Sequence, residues 1–285
     1  MKTVNIKELR SWIGRTETAH DVASLATARR LSATLNQGAD ALQTGTPLPA
    51  LWHWLYFLPE HLTSELDSDG HVKRGGFLPA VPLPRRMWAG SRIEYQSEIG
   101  IGNTIERKST IADVRQKNRG KQALAFVTVR HEITADDRPA LIEEQDIVYL
   151  GPADPDTRPV KTTAAPASPQ WSETITPDPF LLFRYSALTF NAHRIHYDRV
   201  YALEAEDYPG LVVHAPLTAT LLLDRFQARF PSRSISTISF RAQRPLFDAQ
   251  SVELQGRRDK DDALVWALNS QMDVAMTANV TLRPE

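Results

Sequence analysis

Residues 216–231 read PLTATLLLDRFQARFP, an apolar run that is bounded by a proline at each end. Proline fits the first turn of a helix and cannot continue one, so the run predicts a helix between Pro216 and Pro231. A helix that is apolar on all sides must be buried, and we therefore expect a sheet to wrap around it. The large apolar residues of this run are Leu217, Leu221, Leu222, Leu223, Phe226 and Phe230.

The residues after this helix have the period of β-strands. In residues 272–283, apolar and small polar residues alternate, which is typical of a strand with one buried face. The predicted strands of this part of the chain are 235–242, 250–258, 262–270 and 272–283.

A similar order of elements precedes this part of the chain. Apolar residues recur at helical spacing after Thr18 and Asp21, an N-cap pair, and predict a helix at residues 19–36 that ends near Gly38. Short β-type runs then follow and predict an antiparallel meander. Its strands are Arg92–Ile99, Thr104–Val114, Gln122–Ile133 and Ala140–Leu150.

The two series of strands align without a gap. Ile105 lies over Val252 and Ile93 over Phe240, in both cases 147 residues apart. We infer two related α+β units, residues 1–150 and 171–285, joined by a linker at 151–170 that is rich in Pro, Ala and Thr. The expected fold is a tandem (double) hotdog, in which two long helices are each wrapped by a curled antiparallel sheet. One unit alone would leave a sheet edge open, so we expect the two to share one continuous sheet.

The composition excludes several classes of function. The chain has 285 residues and no cysteine, which removes thiol catalysis, thiolate metal sites and disulfides, and it favours a reducing cytoplasm. With 33 basic and 34 acidic side chains, it lacks the basic excess of a nucleic-acid-binding scaffold. The longest apolar-aromatic stretch, Leu51–Leu58, is far shorter than a membrane span of about 20 residues.

The polar segment 183–198, FRYSALTFNAHRIHYD, has the highest density of chemically active side chains in the sequence. Three interpretations stay open from the residues alone. His193, His196 and Asp198, with His214, have the ligand types of a zinc or iron site, although their spacing matches no strong metal signature. The histidines could instead be hydrogen-bonded members of a tight turn. The third interpretation is an acid/base loop, because histidine exchanges protons near neutral pH.

Two motifs in this half of the chain resemble a known family. Residues 191–196, NAHRIH, followed by Ala202, lie on the frame D-x-N-P-x-H, and residues 211–216, LVVHAP, match a hydrophobic run that ends in His-Gly. Both are similar to the MaoC-like, (R)-specific enoyl-CoA hydratases, a hotdog family. Within this family, the sequence TFNAHRIHYD at residues 189–198, together with LPRRMWAG at residues 83–90, looks closest to hydratases of mesaconyl-CoA (3-methylfumaryl-CoA) and itaconyl-CoA.

The resemblance implies a hydro-lyase whose catalytic histidine is His196. Asn191 stands where the family has an aspartate, and an amide cannot accept a proton at neutral pH. His196 must therefore perform proton transfers that the aspartate would otherwise share. We expect Asn191 to orient a water, unless Asp198 replaces the missing carboxylate. The family glycine is Ala215, whose N–H at the start of the buried helix is expected to polarise the thioester carbonyl.

The expected reaction is the reversible hydration of itaconyl-CoA or mesaconyl-CoA to citramalyl-CoA, as in itaconate degradation. Such a substrate carries a free carboxylate and the phosphates of CoA, which arginine binds well. No metal or other cofactor is expected, since CoA is part of the substrate. The predicted substrate-binding residues are Arg184, Tyr185, Arg86, Trp88, His214, Arg241 and Arg244.

Other functions remain open from the sequence. They are a dehydratase of straight-chain 3-hydroxyacyl thioesters, a thioesterase, and a catalytically weak acyl-CoA-binding hotdog, since a fold does not determine a function. The first unit has no counterpart of the His196 loop, so one active site per chain is expected. We expect an acyl-CoA thioester as the partner, no nucleic acid, no membrane and a cytoplasmic location, with a homodimer as a candidate assembly.

Overall fold

The computed structural model describes residues 5–38, 40–119, 122–151 and 164–284. Within these residues, ten strands form one antiparallel sheet. The strands are β1 (Thr16–Val22), β2 (Arg85–Tyr95), β3 (Thr104–Arg119), β4 (Gln122–Ala135), β5 (Arg138–Leu150), β6 (Trp171–Ile175), β7 (Ile235–Ala242), β8 (Val252–Asp259), β9 (Asp262–Leu268) and β10 (Val274–Leu282). The helices are α1 (Ile6–Leu9), α2 (Leu25–Thr34), α3 (Pro179–Leu188), α4 (Arg199–Glu204) and α5 (Ala215–Arg229). Single 3₁₀ turns occur at Arg10–Trp12, Trp52–Leu55, Thr63–Glu65 and Arg194–His196.

The order of strands across the sheet is symmetrical. It runs β1-β3-β4-β5-β2-β7-β10-β9-β8-β6, so each strand before residue 151 has a counterpart at the same distance from the β2–β7 junction. We call residues before 151 the first half and residues after 170 the second half. The prediction of one continuous sheet built from two similar units is confirmed.

The halves are joined where β2 pairs with β7, from Gly90 opposite Arg241 to Glu94 opposite Thr237. A Cβ atom at Gly90 would lie 2.3 Å from the carbonyl oxygen of Phe240. Glycine at this position therefore allows the two backbones to approach each other at the junction.

Helix α5 is buried as predicted, with its ends one residue before Pro216 and two before Pro231. Leu217, Leu222 and Leu223 have no exposed surface, and the helix contacts β8, β9 and β10. On the side of the first half, Asp224 of α5 accepts hydrogen bonds from Gln37 and Trp52, so the helix lies between the sheet and the first half.

The first helix prediction was wrong in its bounds. Residues Thr16–Val22 form the edge strand β1, and α2 begins only at Leu25. The N-cap is Ser24, whose hydroxyl accepts a hydrogen bond from the Thr27 N–H, whereas Asp21 accepts from the N–H groups of Val22 and Phe57. Helical spacing misled here because an edge strand buries too little surface to show a period of two.

The helices described in the first half are short, α2 with ten residues being the longest, so the prediction of two long helices is not confirmed. In chain order, α2 follows β1 as α3 follows β6. The place of α5 before the next strand is taken by the turn at Trp52–Leu55. Residues Pro179–Leu188, just before the histidine motif, form α3.

The predicted strands are found with shifted ends. The largest shift is at β2, which begins seven residues before Arg92 and lies beyond β5, so the first half is not a simple meander. Most of the predicted linker, residues 152–163, lies outside the described residues, and the division into domains stays a prediction. No helix among the described residues is long and apolar enough to cross a membrane.

Candidate active site

A cavity of about 990 Å³ lies between the two halves. The second half contributes the segment from Tyr185 to Tyr197 and the start of α5, and the first half contributes the turn at Asp69–Val72 and part of β2. The volume falls in the range of small-molecule sites, which are typically 300–1,000 Å³. The cavity therefore has the size and the position of a ligand site.

The histidine loop begins where α3 ends. Asn191 N–H donates to the carbonyl of Ser186, and Phe190 N–H donates to that of Ala187. Phe190 has a left-handed φ of 49°, so the end of α3 is a Schellman motif with phenylalanine where glycine is usual. This reversal directs Asn191 and His193 back toward the cavity.

The His196 ring is buried and has one fixed tautomer. Its Nδ1 lies 2.7 Å from the carbonyl oxygen of Val212 and must carry the proton, because a carbonyl can only accept. Nε2 is left as the basic atom on the cavity side. Burial lowers the pKa of His196 to about 4, against the opposing effect of the Val212 hydrogen bond. The ring is therefore neutral and ready to accept a proton at neutral pH.

Four histidine rings follow one another along the cavity wall. Ring centroids are 3.9 Å apart from His71 to His193, 5.4 Å from His193 to His196 and 3.7 Å from His196 to His214. Burial, followed by the neighbouring rings His71 and His196, lowers the pKa of His193 to about 2. A proton held on this chain of rings therefore avoids His193.

His214 supports His196 from behind. Its ring stacks on His196 with 19° between the planes, and its Nε2 lies 2.9 Å from the Ser186 hydroxyl. Burial, with the nearby His196 and His193, lowers the pKa of His214 well below its usual value. Tyr185 packs edge-on against His214 at 5.0 Å. These contacts fix the plane of the His196 ring.

The turn Asp69-Gly70-His71 of the first half was missed from the sequence. Asp69 Oδ2 lies 2.9 Å from His71 Nδ1, and the backbone carbonyl of Asp69 accepts from the Arg194 N–H at 2.9 Å. Gly70 has φ +88°, and a Cβ there would lie 1.8 Å from the carbonyl oxygen of Ala192. Only glycine allows this approach. The triplet Asp-Gly-His in a polar loop was the available signal, but local sequence does not show its contact with a loop more than 120 residues away.

Helix α5 directs its N-terminus at the cavity. Ala215 is its first residue and lines the cavity, and the N-cap residue His214 makes no side-chain hydrogen bond to the first turn. The first N–H groups of a helix have no partner within the helix, and Pro216 has none to offer. Ala215 N–H is therefore placed to donate to a ligand.

Asn191 lines the cavity and Asp198 does not. Asn191 Oδ1 accepts from the His193 N–H at 3.0 Å, so its amide nitrogen is the group left to hold a water. Asp198 caps α4 through the Tyr201 N–H at 3.0 Å and binds the Arg194 guanidinium at 2.8 Å. These contacts, with the Tyr201 N–H first, lower the pKa of Asp198. Asp198 therefore holds the loop and is not positioned to replace the family carboxylate.

Eight of the ten predicted site residues are brought to the same cavity, and two are not. Arg184 is exposed on α3 beside a separate small cavity, and Arg241 is exposed on β7. Arg244 lies at the cavity with Asp273 3.8 Å away. The failure at Arg184 has a simple cause, since Arg184 and the buried Tyr185 are neighbours on a helix and point to different faces. The residues that line the cavity are His196, Asn191, Ala215, Tyr185, Arg86, Trp88, His214 and Arg244.

A set of metal-ligand types exists at the site, but it differs from the set considered from the sequence. Asp69, His71 and His193 offer ligand atoms that all lie within 4.8 Å of one another. Their chemistry suits a divalent transition metal. Asp69 and His71 also satisfy each other by a hydrogen bond, which needs no ion.

The fold and this site define a double hotdog hydratase of the MaoC-like type. A MaoC-like dehydratase from Phytophthora capsici has the same fold, with a TM-score of 0.70 at 13% identity, covering 99% of this chain and 100% of that one. A Mycobacterium tuberculosis protein with a double hotdog fold matches with a TM-score of 0.56 at 13% identity, over 97% of both chains.

The sequence comparison gives the family. The pattern of the family Hydroxyacyl-thioester dehydratase type 2 matches residues 51–248, and the chain belongs to this family. It is 46% identical over 272 residues to the mesaconyl-C(4)-CoA hydratase of Chloroflexus aurantiacus, covering 95% of this chain and 97% of that protein. It is 28% identical to the mitochondrial hydroxyacyl-thioester dehydratase type 2 of Schizosaccharomyces pombe, over 73% of this chain and 77% of that one. The chain is thus a hydro-lyase of the hydroxyacyl-thioester dehydratase type 2 family.

Proposed function

We propose that this enzyme reversibly adds water to a branched five-carbon dicarboxylic enoyl-CoA, with mesaconyl-CoA first and itaconyl-CoA second, to form citramalyl-CoA. The observation that carries the proposal is His196, a neutral, oriented imidazole in a cavity that also receives the N-terminus of α5. A base and an oxyanion donor in one cavity are what the hydration of a thioester needs.

The addition begins with the base. His196 Nε2 takes a proton from a water that the Asn191 amide holds by its oxygen, and the hydroxide attacks the β-carbon. Because the Val212 carbonyl binds Nδ1–H at 2.7 Å, the ring gains a proton only at Nε2. The hydrogen bond to Val212 also stabilises the imidazolium that forms, as a buried acceptor does in other acid/base sites.

The negative charge that develops on the thioester oxygen needs a donor. Ala215 N–H, at the start of the 15-residue helix α5, is our choice, because it combines a free backbone donor with the positive end of the helix dipole. Its side chain is the smallest change from the glycine that the motif usually has, so access to the N–H is only slightly narrowed.

The free carboxylate and the CoA phosphates need positive charge at the cavity. Arg86 of β2 and Arg244 after β7 line it from opposite halves, and Trp88 provides an apolar wall beside Arg86. Trp88 is held by its Nε1 on the carbonyl of Gly90 at 3.1 Å. We assign carboxylate recognition to Arg86 and phosphate recognition to Arg244.

The choice of substrate rests on the relatives. The name of the Chloroflexus aurantiacus relative favours mesaconyl-C(4)-CoA, and itaconyl-CoA with a role in itaconate degradation stays a prediction. A second candidate function is the dehydration of straight-chain 3-hydroxyacyl thioesters, which the family description and the Schizosaccharomyces pombe relative favour.

The experiment is incubation with mesaconyl-C(4)-CoA, itaconyl-CoA and crotonyl-CoA, followed by mass spectrometry for an added water. Higher kcat/KM on crotonyl-CoA than on both dicarboxylic esters would favour the second candidate. Release of free CoA would instead identify a thioesterase, and tight binding with no new product an acyl-CoA-binding module.

His196→Ala tests the mechanism. We expect kcat to fall about 10²–10⁴-fold, the usual contribution of a positioned base. Turnover within a few-fold of wild type would exclude His196 as the base. Arg184→Ala is the matched control on α3, since Arg184 lies outside the cavity, and it should keep wild-type kcat and KM.

Assembly, cofactor and location stay predictions of this proposal. We expect full activity without an added cofactor, a homodimer in sedimentation equilibrium, and a cytoplasmic enzyme. Exposed apolar side chains on α3 and α4, among them Phe180, Phe183 and Val200, are compatible with a protein partner on that surface.

A further inference from the structure

Hydration needs a second proton transfer, because the α-carbon must gain a proton while the water loses one. His196 takes the proton of the water and cannot donate one at the same moment, since its remaining N–H is bound to the Val212 carbonyl. Asn191, in place of the family aspartate, has no exchangeable acid proton. Neither of the two family positions, Asn191 and His196, therefore supplies the proton for the α-carbon.

The first half brings a carboxylate and an imidazole to this point. Asp69 Oδ2 is 2.9 Å from His71 Nδ1, and Asp69 Oδ1 is 2.8 Å from the His71 backbone N–H, so one carboxylate fixes both the ring and its backbone. The side chain of His71 is 21% exposed and lines the same cavity as His196. This is the geometry in which a carboxylate orients an imidazole and stabilises its protonated form.

The turn is docked onto the catalytic loop at several points. Arg194 N–H donates to the Asp69 carbonyl at 2.9 Å, and the Arg194 side chain donates to the Ser68 carbonyl at 3.1 Å. Gly70 contacts Ala192 so closely that no Cβ fits between them. The pair Asp69–His71 therefore has a fixed position relative to His193 and His196.

The Asp69 carboxylate, 2.9 Å from Nδ1, is the group that favours a proton on the His71 ring. Burial lowers the pKa of His71, but the hydrogen bond to Asp69 opposes that effect, with Arg86 acting in the same direction as burial. Burial lowers the pKa of His193 to about 2 and that of His196 to about 4. The hydrogen bonds from His71 in turn lower the pKa of Asp69, although burial alone would raise it.

We propose that Asp69 and His71 form the second proton-transfer group of this active site, with His71 as the acid for the α-carbon and Asp69 as its positioning residue. The inference rests on the proposed function. The water oxygen bonds to the β-carbon and its proton goes to His196. The electron pair of the C=C bond moves to the α-carbon, which takes the proton of His71. His196 then loses its proton to solvent water and His71 regains one from it, so the sum is the addition of one water.

The test compares three variants in steady-state hydration. We expect His71→Gln to lower kcat about 10²–10⁴-fold with little change in KM, because the acid acts in the transition state and not in binding. Asp69→Asn keeps an acceptor for the His71 backbone N–H, and we expect it to lower kcat by a smaller factor. Asp67→Asn is the matched control, because Asp67 is exposed in the same turn and its amide oxygen can still accept from the Ser68 N–H.

Folding and chemistry are separated by two further measurements. Thermal unfolding of each variant should stay within a few degrees of wild type. Imidazole added to His71→Ala should restore part of kcat, since a small acid can enter the cavity that the side chain vacates. A loss of activity with no rescue and a lowered unfolding temperature would overturn the catalytic role and leave the turn as a structural support.

The outcomes also separate this inference from the proposed function. Wild-type kcat in His71→Gln, with His196→Ala inactive, would overturn the second proton-transfer group and leave the hydratase function intact. A wild-type enzyme that hydrates no enoyl-CoA would overturn both. Zinc bound in one equivalent, and loss of activity when a chelator removes it, would make Asp69 and His71 metal ligands and would also overturn the inference.

Discussion

The two halves of the sheet have matching strand registers, but they cover different elements: the helix α5 in the second half and the turn Trp52–Leu55 in the first. Ile93 on β2 pairs with Glu143 on β5, and Phe240 on β7, its counterpart 147 residues later, pairs with Ala278 on β10. The second half thus has a small apolar residue where the first half has a buried carboxylate. Ala278 suits a sheet that packs on a helix, and Glu143 suits one that covers the turn Trp52–Leu55, where the His53 and Trp54 rings need an acceptor.

The turn Trp52–Leu55 is held by Glu143. Its carboxylate lies 3.0 Å from His53 Nε2 and 3.0 Å from Trp54 Nε1, and both His53 and Glu143 are 4% exposed. Burial would raise the pKa of Glu143, but the hydrogen bond and charge of His53 lower it to about 2. In the first half, the inner face of the sheet is thus filled by a charge-assisted hydrogen-bond network. In the second half, α5 fills the corresponding place.

This difference shows how the two halves of one fold contribute different groups to the active site. A helix inside the sheet offers free N–H groups at its first turn, so the second half has the oxyanion donor and the base. The first half, without that helix, has room for a long segment that reaches across to the other loop. Through this segment it contributes the turn Asp69-Gly70-His71 to the site.

The largest effect on the difference between the halves is expected from removing the Glu143 carboxylate, which holds the turn that stands in the place of α5. Glu143→Ala leaves His53 and the Trp54 N–H buried without their acceptor. We expect a loss of about 3–5 kcal/mol in the free energy of unfolding, measured by urea denaturation. The neighbouring Glu144→Ala is the control, since its ion pair with Arg92 is exposed and should be worth about 1 kcal/mol or less. Equal costs would mean that the buried network does not hold the turn.

The contact between the halves can be tested by pH. Asp224 of α5 accepts from Trp52 Nε1 at 3.2 Å and from Gln37 Nε2 at 3.1 Å, both in the first half. Burial raises the pKa of Asp224 to about 7, so the folded protein favours the protonated carboxyl. Its contribution is complete below pH 4 and is lost as the pH rises through 7, by up to about 4 kcal/mol.

Asp224→Asn isolates this effect from other titrating groups. We expect the difference in unfolding free energy between wild type and variant to change with pH from 4 to 8, with the variant relatively more stable above 7. A difference that is independent of pH would show that Asp224 is ionised in the folded protein.

Much of the fold was predictable because its signals are local. The period of two in β7 to β10 and the two prolines around α5 gave nearly correct bounds, and the 147-residue offset gave the duplicated sheet. The helix predicted at residues 19–36 begins too early, because residues Thr16–Val22 form the edge strand β1 and are mostly exposed. Duplication misled as well, since it implied a second central helix that the network around Glu143 replaces.

The site was predictable where one segment carries it. Asn191, His196, His214 and Ala215 lie within 25 residues of one another in two motifs, and all of them line the cavity. Asp69 and His71 come from the other half, and their role depends on a docking that Gly70 permits. Spacing in a sequence shows which residues share a loop, but it does not show which distant loop packs against it.

The smallest effects are expected at the helix N-caps, a feature that both halves have in common. Ser24 and Asp178, 154 residues apart, are the N-caps of α2 and α3, and their side chains accept from the N–H groups of Thr27 and Leu181. We expect Ser24→Ala and Asp178→Ala each to cost about 1 kcal/mol in urea denaturation. Asp178 should cost slightly more at low salt, because its charge also meets the helix dipole.

Exchanging the two caps sharpens this test. Ser24→Asp and Asp178→Ser should each change the unfolding free energy by only a few tenths of a kcal/mol, since both residue types rank close together as N-caps. A large loss from either exchange would mean that the surroundings of the two caps have diverged along with the helix content. If both exchanges are nearly neutral, the strand-helix units of the two halves are still equivalent. The halves then differ only in the elements that follow, which are α5 in the second half and the turn at Trp52–Leu55 in the first.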